Sequence, residues 1–211
     1  MASSERSLGE DANEPHAVVP SPMPAHRLPA LSDTDAPGIR GSSDGTGLRL
    51  AIACSRFNGE VTELLLAGAV AELERSGVAE EDRTVAWVPG AFELPLAARA
   101  MGRTGVFDAV ICLGAVIRGE TSHYDFVAGE CASGLQRVQL EMDLPVVFGV
   151  LTTDNLEQAI ARAGGARGHK GTEAAATAVE MANVLRRLAD LGVRPLTGVR
   201  AGTLGAAGEA L

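Results

Sequence analysis

The sequence predicts an α/β protein: a three-layer α/β/α sandwich around a four-stranded, mainly parallel sheet. Two observations carry this reading. From Leu48 to about Leu191, apolar runs of strand length alternate with stretches of helical period. Gly, Pro and side chains suited to capping stand where one period gives way to the other, as βαβ units require.

Taken in order, Leu48 to Cys54 is the first strand. Asn58 then offers an N-cap for a helix whose stripe runs through Val61, Leu64, Leu65, Val70 and Leu73 until Gly77 ends it. Thr84 to Val88 is the second strand. Pro89 and Gly90 turn the chain into a helix near Phe92 to Met101, where Pro95 falls within the tolerant first turn. Ala109 to Ala115 is the third strand and Ser122 to Leu140 the next helical stretch. Val146 to Leu151 is the fourth strand, Thr152 to Asn155 supply caps for a short helix ending near Gly164, and Thr172 to Leu188 form the final helix. Right-handed crossovers place every strand-to-helix loop at one edge of such a sheet, where ligands bind.

Residues 1–47 hold six of the ten prolines and no Phe, Trp or Tyr. A segment of that composition cannot bury enough surface to fold alone, so a flexible extension is expected, with docking of its Leu, Val and Met residues as the alternative. Residues 192–211 form a C-terminal tail, small and featureless from Gly205 onward. The folded part, residues 48–191, is long enough for one compact core, with 46% hydrophobic against 21% charged residues in the whole chain.

A formal charge of −9 argues against nucleic acid as the main partner, because phosphate backbones attract clustered Lys and Arg. No apolar run approaches the roughly 18 residues of a membrane span, and no apolar signal core stands in the first thirty residues, so a cytoplasmic protein without membrane attachment is expected. Cys54, Cys112 and Cys131 are too far apart for a CxxC pair and read as small core hydrophobes of a reducing compartment. Without HExxH, CxxC or an acidic calcium loop, no metal is expected.

Three strand-end loops carry unusual choices: Ser55-Arg56-Phe57-Asn58, Pro89-Gly90-Ala91-Phe92-Glu93, and Arg118 to His123. Phe57 and Phe92 suit a stacking platform or a cap on the core. Glu93 suits a ligand with N–H donors, or simply the dipole of the helix it begins. The Gly-Glu-Thr turn ahead of a helix offers free backbone N–H groups to an anion, and His123 stands beside it for proton transfer. Ser122, His123 and Asp125 are too close in sequence to form a triad. Residues 164–172 lack the Gly-Lys-Thr order of a nucleotide loop and follow no strand; Arg162 and Lys170 flank them as phosphate ligands or as ordinary helix-end charges.

Ser-Arg-Phe-Asn at 55–58, Pro-Gly-Ala-Phe-Glu-Leu-Pro at 89–95, Leu-Gly-Ala-Val-Ile-Arg-Gly-Glu-Thr-Ser-His-Tyr-Asp at 113–125, Gly-Val-Leu-Thr-Thr at 149–153 and His-Lys-Gly at 169–171 occur in one order. With Glu173 and Glu180-Met181-Ala182-Asn183 they make residues 48 to 190 resemble the lumazine synthases. The resemblance implies a flavodoxin-like sheet. It also implies condensation of 5-amino-6-(D-ribitylamino)uracil with 3,4-dihydroxy-2-butanone 4-phosphate to 6,7-dimethyl-8-ribityllumazine, phosphate and water, the penultimate step of riboflavin synthesis, with no metal or organic cofactor.

By that resemblance Phe57 stacks on the uracil, Ala91, Phe92 and Glu93 bind the aminouracil and its ribityl chain, and Ala115, Val116 and Ile117 hold the ring edge. Glu120, Thr121 and Arg162 bind the butanone phosphate, His123 donates protons, and Phe148 of a neighbouring subunit closes the pocket. A homo-oligomer follows: a pentamer, with the short 165–168 link favouring a sixty-subunit icosahedral shell that has room for riboflavin synthase as a partner. The rival readings are a noncatalytic shell-forming or flavin- or lumazine-binding protein, and an enzyme like the archaeal-type riboflavin synthase.

Overall fold

A computed structural model of the chain describes residues 38–192. Expectations for residues 1–37 and 193–211 lie outside the described residues. The order is β1 (Leu50–Ser55), α1 (Gly59–Arg75), β2 (Arg83–Val88), α2 (Leu94–Arg103), β3 (Ala109–Ile117), α3 (His123–Met142), β4 (Val146–Thr153), α4 (Leu156–Arg162), β5 (Ala163–Gly165), β6 (Gly168–His169) and α5 (Lys170–Asp190). The main sheet runs β2-β1-β3-β4 with every pairing parallel. This is the expected three-layer, flavodoxin-like arrangement. The short antiparallel β5–β6 pair was not expected, because strands of two and three residues carry no periodic signal.

Side chains of a strand alternate between its two faces, and the two cores follow that alternation. Leu50, Ile52 and Cys54 of β1 join Ile111 and Leu113 of β3 under Val61, Leu65, Ala69 and Leu73 of α1 and the alanines of α5. Ala51 and Ala53, with Val110 and Cys112, face α2 and α3 through Leu94, Ala98, Cys131 and Leu135. Each fully buried leucine contributes about 1.5–3 kcal/mol by leaving water. The three cysteines are unpaired and buried. Burial pushes the Cys54 thiol up to about 12 and Cys131 to about 11, so both stay protonated at neutral pH.

The stop at Gly77 has the expected cause. Its φ of +85° is a left-handed conformation that glycine adopts freely, and it lets Val78 N–H return 3.0 Å to the Leu73 carbonyl while Gly77 N–H reaches that of Glu74. Asn155 caps α4 as expected, its Oδ1 accepting from Gln158 N–H at 2.9 Å. Asn58 departs from expectation: it precedes α1, but its side chain makes no cap.

Part of the proline-rich N-terminal segment lies against α5. Asn183 Nδ2 donates to the carbonyls of Ser42 and Asp44 at 3.0 and 2.8 Å, and Arg186 donates to the carbonyl of Gly47 at 3.1 Å. Gly45 N–H also reaches the Ser76 carbonyl, so residues 42–47 are tied to both α5 and the end of α1.

Among the described residues no helix is long and apolar enough to cross a membrane.

Candidate active site

The chain reverses its strand order between β1 and β3, where a parallel sheet opens a crevice at its carboxyl edge. The loops after β1, β2 and β3 meet there around a cleft of about 640 Å³. Arg56 and Phe57 extend the β1–β2 ladder by one step, donating to the carbonyls of Val88 and Pro89 at 2.9 and 3.1 Å. Phe57 is thereby held out over the cleft, 70% exposed.

Asn58 takes a left-handed conformation, φ 57° and ψ 47°, and its Nδ2 donates 2.8 Å to the Ala115 carbonyl. The side chain expected to cap a helix instead pins the turn after β1 to the end of β3. After β2, Pro89 and Gly90 lead into one 3-10 turn over Ala91–Glu93, with Phe92 exposed and Leu94 buried beneath it. An added Cβ at Gly90 would stand 3.2 Å from Glu93 Oε2, so a glycine here leaves the carboxylate room.

β3 hands over to the third loop through Arg118 N–H, which donates 2.8 Å to the Thr153 carbonyl. Gly119 to Ser122 then cross to the start of α3 at His123, and His123 N–H reaches Thr121 Oγ1 at 3.4 Å. Arg118 itself holds Asp125 at 3.3 Å and Asp154 at 3.5 Å, and its guanidinium lies 4.0 Å from the centre of the Tyr124 ring.

The cleft brings together Phe57, Ala91, Phe92, Glu93, Ala115, Val116, Ile117, Thr121 and His123. Glu120 is exposed in the same loop without lining the cleft. Tyr124, Phe126 and Val127 add to the wall. Local sequence pattern gives them no site role, because on the first turns of a helix such side chains match an ordinary core-facing stripe.

Phe148 and Arg162 are elsewhere. They line a second cleft of about 480 Å³ beside β4, together with Lys170 and Glu173, and the two clefts share no lining residue. Arg162 lies at the end of α4, its Nη1 donating 2.9 Å to the Gln158 carbonyl. Lys170 and Glu173 form an ion pair on the first turn of α5. Lys170, which the sequence offers as a phosphate ligand or an ordinary helix-end charge, thus lies in this cleft, and Glu173, known from the sequence only as part of the family resemblance, pairs with it there.

Behind that cleft the His169 ring sits in a notch between two glycines. An added Cβ at Gly68 would overlap the ring, and one at Gly164 would stand 3.2 Å from it. Its Nδ1 is buried without a hydrogen-bond partner. Burial therefore holds the imidazole below its ordinary pKa, with the charge of Glu173 partly opposing.

One cleft thus offers aromatic faces, a carboxylate, backbone N–H groups and an imidazole, while the other offers two cations and a phenylalanine. A family model described as 6,7-dimethyl-8-ribityllumazine synthase matches residues 47–186. The chain belongs to the lumazine synthase family. It is also 56% identical over 151 residues to a 6,7-dimethyl-8-ribityllumazine synthase of Edwardsiella ictaluri (strain 93-146), a match covering 71% of this chain and 97% of the relative. The lumazine synthase match takes in every loop of both clefts, from Phe57 to Glu173.

Proposed function

We propose that this chain condenses 5-amino-6-(D-ribitylamino)uracil with 3,4-dihydroxy-2-butanone 4-phosphate in the cleft at the β1–β3 switch point. The product is 6,7-dimethyl-8-ribityllumazine, and the reaction is the penultimate step of riboflavin synthesis. The observation that carries the placement is the convergence of Phe57, Phe92, Glu93, the Gly119–Ser122 loop and His123 on one cavity.

The flat aminouracil stacks on Phe57, with backbone groups from Ala115 to Ile117 along its edge. Asn58 already occupies the Ala115 carbonyl at the start of that edge. Ala91, Phe92 and Glu93 take the ribityl chain and neighbouring ring atoms. The loop carrying Glu120 and Thr121 receives the phosphate through N–H groups ahead of α3. Amine attack on the ketone gives an imine with loss of water, phosphate is eliminated, and ring closure loses a second water. Each step moves a proton, which is the work assigned to His123.

Phe148, Arg162 and Lys170 complete the pocket from an adjacent subunit. Their grouping in a separate cleft supports this, since one subunit carries both half-sites and a neighbour in a ring can join them. A pentamer is the assembly proposed, with exposed Leu96, Phe126 and Leu140 as apolar surface for it to cover. The tight β5–β6 turn, closed by Arg167 N–H on the Ala161 carbonyl at 2.8 Å, is compatible with the sixty-subunit shell. The cytoplasm is the proposed compartment, in keeping with three unpaired buried cysteines.

Mixing the protein with the ribitylaminouracil, with and without the butanone phosphate, tests the reading. Lumazine fluorescence rising above the uncatalysed background only with both substrates is expected. Binding without turnover would leave a carrier or shell protein, and consumption of 6,7-dimethyl-8-ribityllumazine supplied in place of both substrates would indicate a riboflavin synthase.

A further inference from the structure

The loop from Gly119 to Ser122 is exposed throughout and has little of its own to hold it. An added Cβ at Gly119 would meet no atom within 4 Å, so no packing fixes the backbone there. The loop is nonetheless flanked by a residue that grips three other points. Arg118 Nη2 lies 3.3 Å from Asp125 Oδ1 on the first turn of α3, and Arg118 Nε lies 3.5 Å from Asp154 Oδ1 at the corner between β4 and α4. The guanidinium covers Tyr124, a residue of the cleft wall, at 4.0 Å.

We propose that Arg118 is the positioning residue of the phosphate loop, stapling its two ends to each other and to the β4–α4 corner. This rests on the reading that the loop receives the butanone phosphate. Arg118 does not line the cleft, and its guanidinium is already engaged by two carboxylates and a ring. It acts by holding other groups in place. With Arg118 joined to Asp125, the backbone N–H groups of residues 119–122 and the imidazole of His123 lie within one closed span, held before substrate arrives. Such preorganisation lowers the ordering that binding would otherwise require. A planar fork can meet Asp125 and Asp154 in two directions while its face rests on Tyr124; an ammonium cannot.

The test is steady-state kinetics of the full chain with each substrate varied in turn, alongside thermal unfolding. Arg118→Ala is expected to raise KM for the butanone phosphate about 3- to 10-fold, the range exposed ion pairs and one cation–π contact support together. KM for the aminouracil is expected to stay within about twofold, because Phe57 and Glu93 share no partner with Arg118. Asp154→Asn should reproduce part of the effect although Asp154 lines no part of the cleft, and Arg118→Lys should fail to restore it.

A normal KM in Asp154→Asn beside a large loss in Arg118→Ala would mean that the guanidinium touches the phosphate itself, and would overturn the proposal. So would equal losses for both substrates accompanied by a lower unfolding temperature, the mark of a merely structural role. Calorimetry with inorganic phosphate reads the loop without turnover. A weaker affinity in both Arg118→Ala and Asp154→Asn upholds the staple even if the condensation reading fails, and an unchanged affinity in Arg118→Ala rejects it even if that reading stands.

Discussion

The two clefts of one subunit are built on opposite principles. The cleft at the β1–β3 switch point is walled by backbone turns and aromatic faces, and its imidazole, His123, is exposed. The cleft beside β4 carries three charged side chains, Arg162, Lys170 and Glu173, together with Phe148. In the proposed reaction the first would orient a flat ring and move protons, while the second would supply positive charge for the phosphate. Neither cleft of one subunit holds the whole set, and the proposed site divides the chemistry between two of them.

If that division is right, removing a residue from either cleft should damage a different step. The largest effect is expected at His123: His123→Ala should slow lumazine formation roughly 10²–10⁴-fold without abolishing it, the usual contribution of a positioned acid/base. An unchanged rate would remove His123 from the mechanism. Arg162→Ala should raise KM for the butanone phosphate about 10- to 100-fold, in the range of a lost charge-assisted hydrogen bond, and leave the aminouracil nearly unaffected. Equal losses for both substrates would contradict its assignment to the phosphate.

Phe57→Ala should show the converse pattern, a rise of about 3- to 10-fold in KM for the aminouracil, as expected for one aromatic stacking contact. Titration of each substrate separately reads this directly.

The smallest effect concerns stability behind the second cleft. His169 has a folded-state pKa depressed by burial, so its unfolded form takes up a proton first as pH falls. Its contribution is fully present above about pH 6.5 and is lost as pH falls toward the folded value. The unfolding temperature should therefore drop between about pH 7.5 and 5.5, and His169→Asn should flatten that slope. The ring is only partly buried, so the change is modest. Parallel slopes in the two proteins would show that other groups dominate.

The sequence made the order of elements plain because burial imposes a period. Ile52 and Ile111 alternate with Ala51 and Val110, and Leu65, Ala69 and Leu73 recur at helical spacing. Gly77, Pro95 and Asn155 marked their boundaries because turn and cap chemistry is local. What stayed hidden was non-local. Asn58 looked like a cap, yet its partner is the Ala115 carbonyl 57 positions away. The ties from Arg118 to Asp125 and Asp154, and the notch that Gly68 and Gly164 form for His169, join elements that no periodicity connects. The motifs likewise named Phe148 and Arg162 as site residues, but only the fold shows that they share a cleft apart from His123.

A working site that joins the switch-point cleft of one subunit to the β4-side cleft of another can be probed with mixed assemblies. His123→Ala and Arg162→Ala chains, each impaired alone, would be unfolded together, reassembled and assayed at low butanone phosphate. In a head-to-tail ring with random mixing, about a quarter of the sites pair an intact His123 with an intact Arg162, so activity should recover to about a quarter of the unsubstituted level. No recovery in assemblies shown to contain both chains would place both residues in the site of a single subunit and contradict the account.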